Sequence, residues 1–331
     1  MEYGYLGRSN VKVSRICLGT MHFGRRATEE ESFAVMDQAL EMGINFFDTA
    51  NVYGDPSGRT EEIIGRWFQQ GGGRREKVVL ASKVYGGMGQ SQWPNEERGI
   101  SSYKVHKHVA DSLRRLQTDH LDLYQVHHID RHITPEEFWG TFEQLQAKGD
   151  IRYVGTSNFP GWGLAKYQMA ARQRGQLGIA SEQSMYNLLC RYPELEVLPA
   201  ALDLGIGVIP YMPLAGGLLT GKQASAPGTR TNQVEGEYGI TISQSEQLAE
   251  FARLCAEMGE PAHAVAIAWV LANPAVSSAI VGVRSVRHLD GLARAAALKL
   301  DADVMKRLDA IFDINRGRPL RIAPAPEAYA W

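Results

Sequence analysis

The chain has 331 residues, 44% hydrophobic and 22% charged, with 35 basic against 37 acidic side chains and a formal charge of −2. That balance is ordinary for a globular protein and argues against a disordered chain, a polybasic nucleic-acid binder or a membrane protein. The longest apolar run, Ala262 to Ala272, is shorter than the roughly 20 residues a bilayer demands and is interrupted by His263.

In chain order, the opening MEYGYLGRSN has no basic stretch leading into an apolar one, so no secretory signal is expected. ICLGT (16–20) reads as a strand, and Thr28 with Glu31 then forms a capping box for a helix whose apolar face is Phe33, Met36 and Leu40, stopped by Gly43. NFFD (45–48) is the next strand. Thr60 leads Glu61 and Glu62 in the first turn of a helix that buries Ile63, Ile64, Trp67 and Phe68. VVLASK (78–83) is followed by a helix marked by Val105, Val109, Leu113 and Leu116, and LDLYQVHH (121–128) by one opened by Thr134, Pro135 and Glu137. That helix carries Phe138, Phe142 and Leu145 and stops at Gly149. YVGTS (153–157), ASEQ (180–183), GVIPY (207–211) and AIVG (279–282) complete eight strands, with further helices near 244–258, 262–272, 286–297 and 303–312. Short apolar runs ending in a polar residue or glycine are typical of strands buried on both faces of a parallel sheet.

Eight strands alternating with helices fit either a closed (β/α)8 TIM barrel or a doubly wound sheet. No GxGxxG is present, and the notable polar residues fall at strand C-termini, where barrels keep their active sites. The expectation is therefore one α/β domain spanning 1–331, a (β/α)8 barrel with a long loop at 222–242 and a C-terminal segment, 314–331, over the barrel mouth. Cys17, Cys190 and Cys255 are too far apart for a zinc knuckle or a redox pair, so a reducing cytoplasm is the expected compartment.

Asp48, Lys83 and the pair His127 and His128 end successive strands, and Tyr53 lies five residues after Asp48. A lysine beside a tyrosine favours the phenolate and lowers the phenol pKa toward working pH, which equips it as a general acid or base. Asp48 would hold the lysine, and a neutral histidine could donate a hydrogen bond to a carbonyl oxygen. Two adjacent histidines also suggest metal binding, but no third ligand has suitable spacing, so no metal site is expected. GGLLTGK (216–222) imitates the start of a phosphate-binding loop, yet Gln223 stands where a magnesium-binding hydroxyl is needed.

GTMHFG (19–24), NFFDTANVYG (45–54), GRTEEIIG (58–65), SKVYG (82–86), DLYQVHHID (122–130), YVGTSNF (153–159), SEQSMYN (181–187), PYMPLAGGLLTGK (210–222) and IVGVRS (280–285) resemble, in order, the segments of aldo-keto reductases. The resemblance covers nearly the whole chain. It implies a catalytic tetrad of Asp48, Tyr53, Lys83 and His127, and NADPH across the barrel mouth. Ser157 and Asn158 match the pair on the nicotinamide carboxamide, with Gln183 beside them, and Tyr211 the aromatic under the ring. Gly19, Thr20 and Met21 would follow the riboside, which Asp48 also reaches. Leu214, Gly216, Leu218, Gly221 and Lys222 would cradle the pyrophosphate. Gly282, Val283, Arg284 and Ser285 match the turn around the 2′-phosphate. The family's usual Gln, Glu and Asn at the adenine end are replaced here by His288, Gly291 and Leu292.

The implied activity is hydride transfer to an aldehyde or ketone. FFDTANVYG, KVVLASKVYG, DHLDLYQVHHID and the closing PEAYAW most resemble the bacterial branch of NDP-hexose 2,3-enoyl reductases and 3-ketoreductases. His22, Phe23, Tyr85, Trp93 and Trp331, with Tyr53 and His127, would edge the substrate pocket. A general-purpose aldehyde reductase, or a cofactor-sensing subunit of a channel with little turnover, are the other readings the resemblance carries. The expected partner is a small carbonyl compound, with no nucleic acid and no membrane, and a homo-oligomer is compatible with the family.

Overall fold

The computed structural model describes residues 1–89, 94–221 and 245–315. Strands β1 (Tyr3–Tyr5) and β2 (Lys12–Ser14) pair antiparallel as an N-terminal hairpin. The chain then alternates: β3 (Ile16–Gly19), α1 (Glu29–Glu41), β4 (Phe46–Asp48), α2 (Arg59–Phe68), β5 (Val79–Val84), α3 (Ser102–Leu116), β6 (Leu121–Val126), α4 (Pro135–Lys148) and β7 (Ile151–Ser157). It continues with α5 (Gly161–Gln173), β8 (Ile179–Gln183), α6 (Val197–Leu204), β9 (Gly207–Val208), α7 (Ser245–Met258), α8 (Ala262–Ala272), β10 (Ala279–Gly282), α9 (Leu292–Ala297) and α10 (Ala302–Ile311). Strands β3 to β10 pair in parallel in the order β10-β3-β4-β5-β6-β7-β8-β9. The two ends also meet: Val208 bridges Val276, and Ile280 N–H donates to the Pro210 carbonyl at 2.9 Å. The eight strands expected from sequence thus form a (β/α)8 barrel.

Local chemistry explains the elements. Both halves of the capping box at Thr28 and Glu31 are made, and Thr134 accepts from Glu137 N–H ahead of Pro135. In α1 the buried stripe is Ser32, Val35, Met36 and Ala39, while Phe33 and Leu40, expected at its centre, flank it half-buried. GVIPY forms only two regular strand residues because Pro210 has no N–H to donate. The helix expected over 286–297 breaks into a turn at Val286–His288 and α9, separated by Gly291 at φ 79°.

Strand periodicity sorts the interior into two cores. Ile16, Leu18, Phe47, Leu80 and Tyr124 face the helices, whereas Cys17, Phe46, Ala81 and Leu123 fill the barrel. The hairpin seals its floor with Leu6 and Val13. Gly7, at φ 55°, permits this closure: a Cβ there would lie 2.5 Å from Gly207 N. Two residues above Phe46, Ala81 and Leu123 come Asp48, Lys83 and Gln125, so the same alternation that builds an apolar floor puts a polar layer at the C-terminal mouth. The 222–242 loop and all but the first two residues of the 314–331 segment lie outside the described residues. Among the described residues no helix is long and apolar enough to cross a membrane.

Candidate active site

Lys83 is fully buried at the end of β5, and its ammonium donates to Asp48 Oδ2 at 2.5 Å, the Thr49 carbonyl at 2.9 Å and Tyr53 Oη at 3.2 Å. Asp48 Oδ1 accepts from Gln125 Nε2 at 2.9 Å and Gln183 Nε2 at 3.0 Å. The His127 ring meets Tyr53 edge-on, with centroids 6.0 Å apart, and stacks on His128 at 5.3 Å. The four side chains singled out from sequence therefore converge on one point, and β4, β5 and β6 deliver three of them because those strands are neighbours in register.

Electrostatics gives each group a defined state. Burial pulls Lys83 downward, but Asp48 and Tyr53 outweigh it, so its pKa is raised and the ammonium stays charged. For Tyr53 burial dominates: it raises the phenol more than Lys83 lowers it. The expectation that Lys83 brings the phenol down toward working pH is thus corrected, because desolvation of the phenolate exceeds the attraction of an ammonium that Asp48 already neutralises in part. Burial first, and then Lys83, bring His127 down to about 2, which keeps its ring neutral.

Around this centre, Ser157 donates to the Gln183 carbonyl at 2.8 Å and Asn158 Nδ2 donates to the His127 carbonyl at 3.1 Å. Tyr211 Oη donates to Asn158 Oδ1 at 3.0 Å, which fixes a half-buried ring at the mouth. Gln183 is beside Ser157 and Asn158 through its backbone only; its side chain turns inward to Asp48 and Gln125. Thr20 is buried and its hydroxyl donates to the Asp48 carbonyl at 2.9 Å. Gly19 is packed so closely that a Cβ would lie 2.8 Å from Ile280 Cγ2, and Met21 follows it half-buried. Leu214, Gly216, Leu218 and Gly221 lie in a turn where Ala215, Gly216 and Gly217 take positive φ, and Ala215 and Gly217 N–H donate back to the Met212 and Leu214 carbonyls at 2.9 Å.

At β10, Gly282 is exposed, Val283 is buried and can offer only its backbone, and Arg284 and Ser285 are half-exposed. His288 closes that turn: its Nδ1 accepts from Arg284 N–H at 3.3 Å and lies 3.2 Å from Ser285 Oγ. Leu292 is buried in the core and Gly291 has no side chain, so neither takes the part of the polar residues they replace. Of the expected substrate rim, Tyr85 is half-buried with its ring 5.1 Å from His128, and His22 is buried against Gly282. Phe23 is corrected: its side chain is fully buried in the core between sheet and helices, and the Thr60 hydroxyl donates to its carbonyl at 2.7 Å. Trp93, Lys222 and Trp331 lie outside the described residues.

Sequence reasoning missed three contributors. Gln125 shares the Asp48 carboxylate, and its position two residues before His127 on an inward-facing strand could have signalled it. Asn51 and His108 form the other pair. Asn51, in the loop between Asp48 and Tyr53, contacts His108 Nδ1 at 2.9 Å, and His108 Nε2 lies 3.2 Å from Glu96. The His108 pKa is lowered, chiefly by burial. In a neutral ring the carboxylate demands the proton on Nε2, so Nδ1 accepts from Asn51.

A closed barrel whose mouth holds a buried lysine–carboxylate pair against a phenol and a neutral imidazole defines a class of proteins equipped for acid–base chemistry. The chain belongs to the aldo/keto reductase family, whose model matches residues 15–313. It is 49% identical to an uncharacterized oxidoreductase, YrpG, of Bacillus subtilis (strain 168), over 100% of both chains. It is 32% identical to the aldo-keto reductase AMT2 of Alternaria alternata, covering 93% of this chain and 90% of that one. With the versiconal hemiacetal acetate reductase of Aspergillus parasiticus the identity is 30%, over 93% and 96% of the two chains.

Proposed function

We propose that this protein is an NADPH-dependent reductase of aldehydes or ketones in which Tyr53 is the general acid. The observation that carries the reading is Lys83, fully buried and in hydrogen-bond contact with both Asp48 and Tyr53, beside a neutral His127. The residues present suit a nicotinamide dinucleotide. Tyr211 offers a ring tethered to Asn158, Asn158 Nδ2 reaches Ser157 Oγ at 3.1 Å beside it, and Gly216 and Gly217 leave the 214–221 turn free of side chains where a phosphate would approach. Ser157, Asn158 and Tyr211 would hold the nicotinamide end. Arg284 and Ser285 would hold the 2′-phosphate, since a guanidinium and a hydroxyl together match a dianion.

When bound, the cofactor supplies a hydride. The chain's own residues manage the oxygen of the substrate. Tyr53 donates its proton as negative charge develops there, Lys83 stabilises the phenolate left behind, and Asp48 keeps Lys83 pointed at it. His127, neutral, orients the carbonyl by a hydrogen bond that carries no net charge. Keeping an imidazole at this position favours carbonyl over double-bond reduction.

The aromatic cluster of Tyr85, tilted 59° to His128, and His128, stacked on His127, supports a substrate with a ring. Two classes follow. A nucleotide-linked keto-deoxysugar is supported by the sequence wording around Asp48 and His127, and a carbonyl compound outside sugar chemistry by the relative named versiconal hemiacetal acetate reductase. Three free cysteines agree with a reducing cytoplasm as the working compartment, and sizing of the purified protein would define the homo-oligomer. The decisive assay is NADPH consumption with 4-nitrobenzaldehyde and with a dTDP-4-keto-6-deoxyhexose. Turnover that drops by about a hundredfold or more in Tyr53→Phe is expected. Turnover equal to that of the variant would sink the catalytic reading in favour of a cofactor-sensing subunit, and NADH preference would sink the 2′-phosphate site.

A further inference from the structure

Strand alternation puts Gln183 inside the barrel and its neighbour Glu182 outside, under the helices, where it is 0% exposed. A buried carboxyl group without a paired cation is costly, and burial pushes this one up to about 7. The groups around it are arranged to hold it. Thr156, its register partner on β7, donates to Oε2 at 2.5 Å; Ser184 donates to Oε1 at 2.7 Å, and Phe159 N–H to the same oxygen at 3.2 Å.

Those donors flank Ser157 and Asn158 directly and reach Tyr211 through the backbone of Ser184. Thr156 and Phe159 bracket Ser157 and Asn158, and Asn158 sits at φ 58° in the left-handed region, which turns the chain between the two donors. Ser184 follows Gln183, and its carbonyl accepts the Tyr211 N–H at 3.1 Å. The Glu182 carbonyl accepts from Ile209 N–H at 2.9 Å, which ties β8 to the segment leading into Tyr211.

We propose that Glu182 is a positioning residue for the nicotinamide carboxamide: it locks the 156–159 and 182–184 segments together so that Ser157, Asn158 and Tyr211 keep one geometry. The inference rests on the cofactor reading above. It acts through other residues, since Glu182 itself faces the helix layer and touches no part of the mouth. Its signature is an effect confined to one end of the dinucleotide.

Calorimetric titration of wild type, Glu182→Gln and Thr156→Val with NADP+ and with 2′-phospho-ADP-ribose, which lacks nicotinamide, tests it. Glu182→Gln should weaken NADP+ by about tenfold while the fragment stays within about twofold, and Thr156→Val should move NADP+ in the same direction by a smaller factor of about three. Should Glu182→Gln fail to fold, Thr156→Val and Ser184→Ala carry the same comparison. Unchanged NADP+ affinity in the variants overturns the proposal, and so does an equal loss for NADP+ and the fragment, which would mean a general structural role. A wild-type protein that binds neither molecule removes the cofactor reading and this inference with it.

Discussion

At the scale of single residues, the site is a set of charge states imposed by burial. Tyr53 is raised above its ordinary value of 10.0 and His127 is lowered to about 2, so neither changes protonation near neutrality. In the proposed reaction the reductive direction uses the protonated phenol, which exists below the Tyr53 pKa and is lost only above it. The value of kcat/KM for carbonyl reduction should therefore be flat between about pH 6 and 9 and fall only above about pH 10, whereas alcohol oxidation, which needs the phenolate, should still be rising there. An acid limb near the ordinary histidine pKa, measured in Tyr53 wild type and absent from His127→Gln, would contradict the neutral imidazole. The residue types of this site were legible in the chain because Asp48, Lys83 and His127 end strands and Tyr53 closely follows one. Their pKa values were not. The lysine neighbour alone suggested a lowered phenol, and only the tertiary burial of Tyr53 and the sharing of Lys83 with Asp48 reverse the sign.

Among elements, α3 has an influence that its sequence pattern conceals. Its buried face holds Val105, Val109 and Leu116, as periodicity indicates, but also Lys104 and His108. Lys104 donates to the Tyr85 and Glu97 carbonyls, and burial brings its pKa down to about 8. His108 holds Asn51 and so the loop on which Tyr53 stands. Lysines and histidines at core-facing positions read as exposed in a hydrophobicity pattern, because the partners that satisfy them belong to loops distant in sequence. Replacing His108 with Leu leaves Asn51 Nδ2 buried without its acceptor. We expect a loss of about 1 to 3 kcal/mol in urea denaturation and a several-fold fall in kcat with little change in NADP+ affinity. Wild-type kcat in a His108→Leu protein of lowered stability would show that α3 supports the fold without tuning the Tyr53 loop.

The molecule as a whole is an apolar floor with a polar layer above it, and one alternation of side chains produces both. Phe46, Ala81 and Leu123 continue into Asp48, Lys83 and Gln125, and the hairpin closes the floor with Leu6 and Val13. Leu6→Ala should cost about 2 to 4 kcal/mol in a two-state urea melt, since it opens a cavity where the hairpin packs on the barrel floor. A cost below about 1 kcal/mol would mean that the barrel is closed without the hairpin. With a net charge of −2 there is no overall positive field to draw an anionic cofactor, so its binding would rest on local groups such as Arg284. From the chain alone came eight strands in order, the parallel barrel, the capped helices and the four converging side chains, because periodicity, caps and strand-end residues are local signals. Tertiary structure alone decided that Gln183 turns to Asp48, that Phe23 is core rather than rim, that Glu182 is buried among three donors and that His108 stands behind Tyr53. Each of these depends on which distant residue supplies a hydrogen-bond partner or excludes water, and that is set by the packing of strands and helices far apart in sequence.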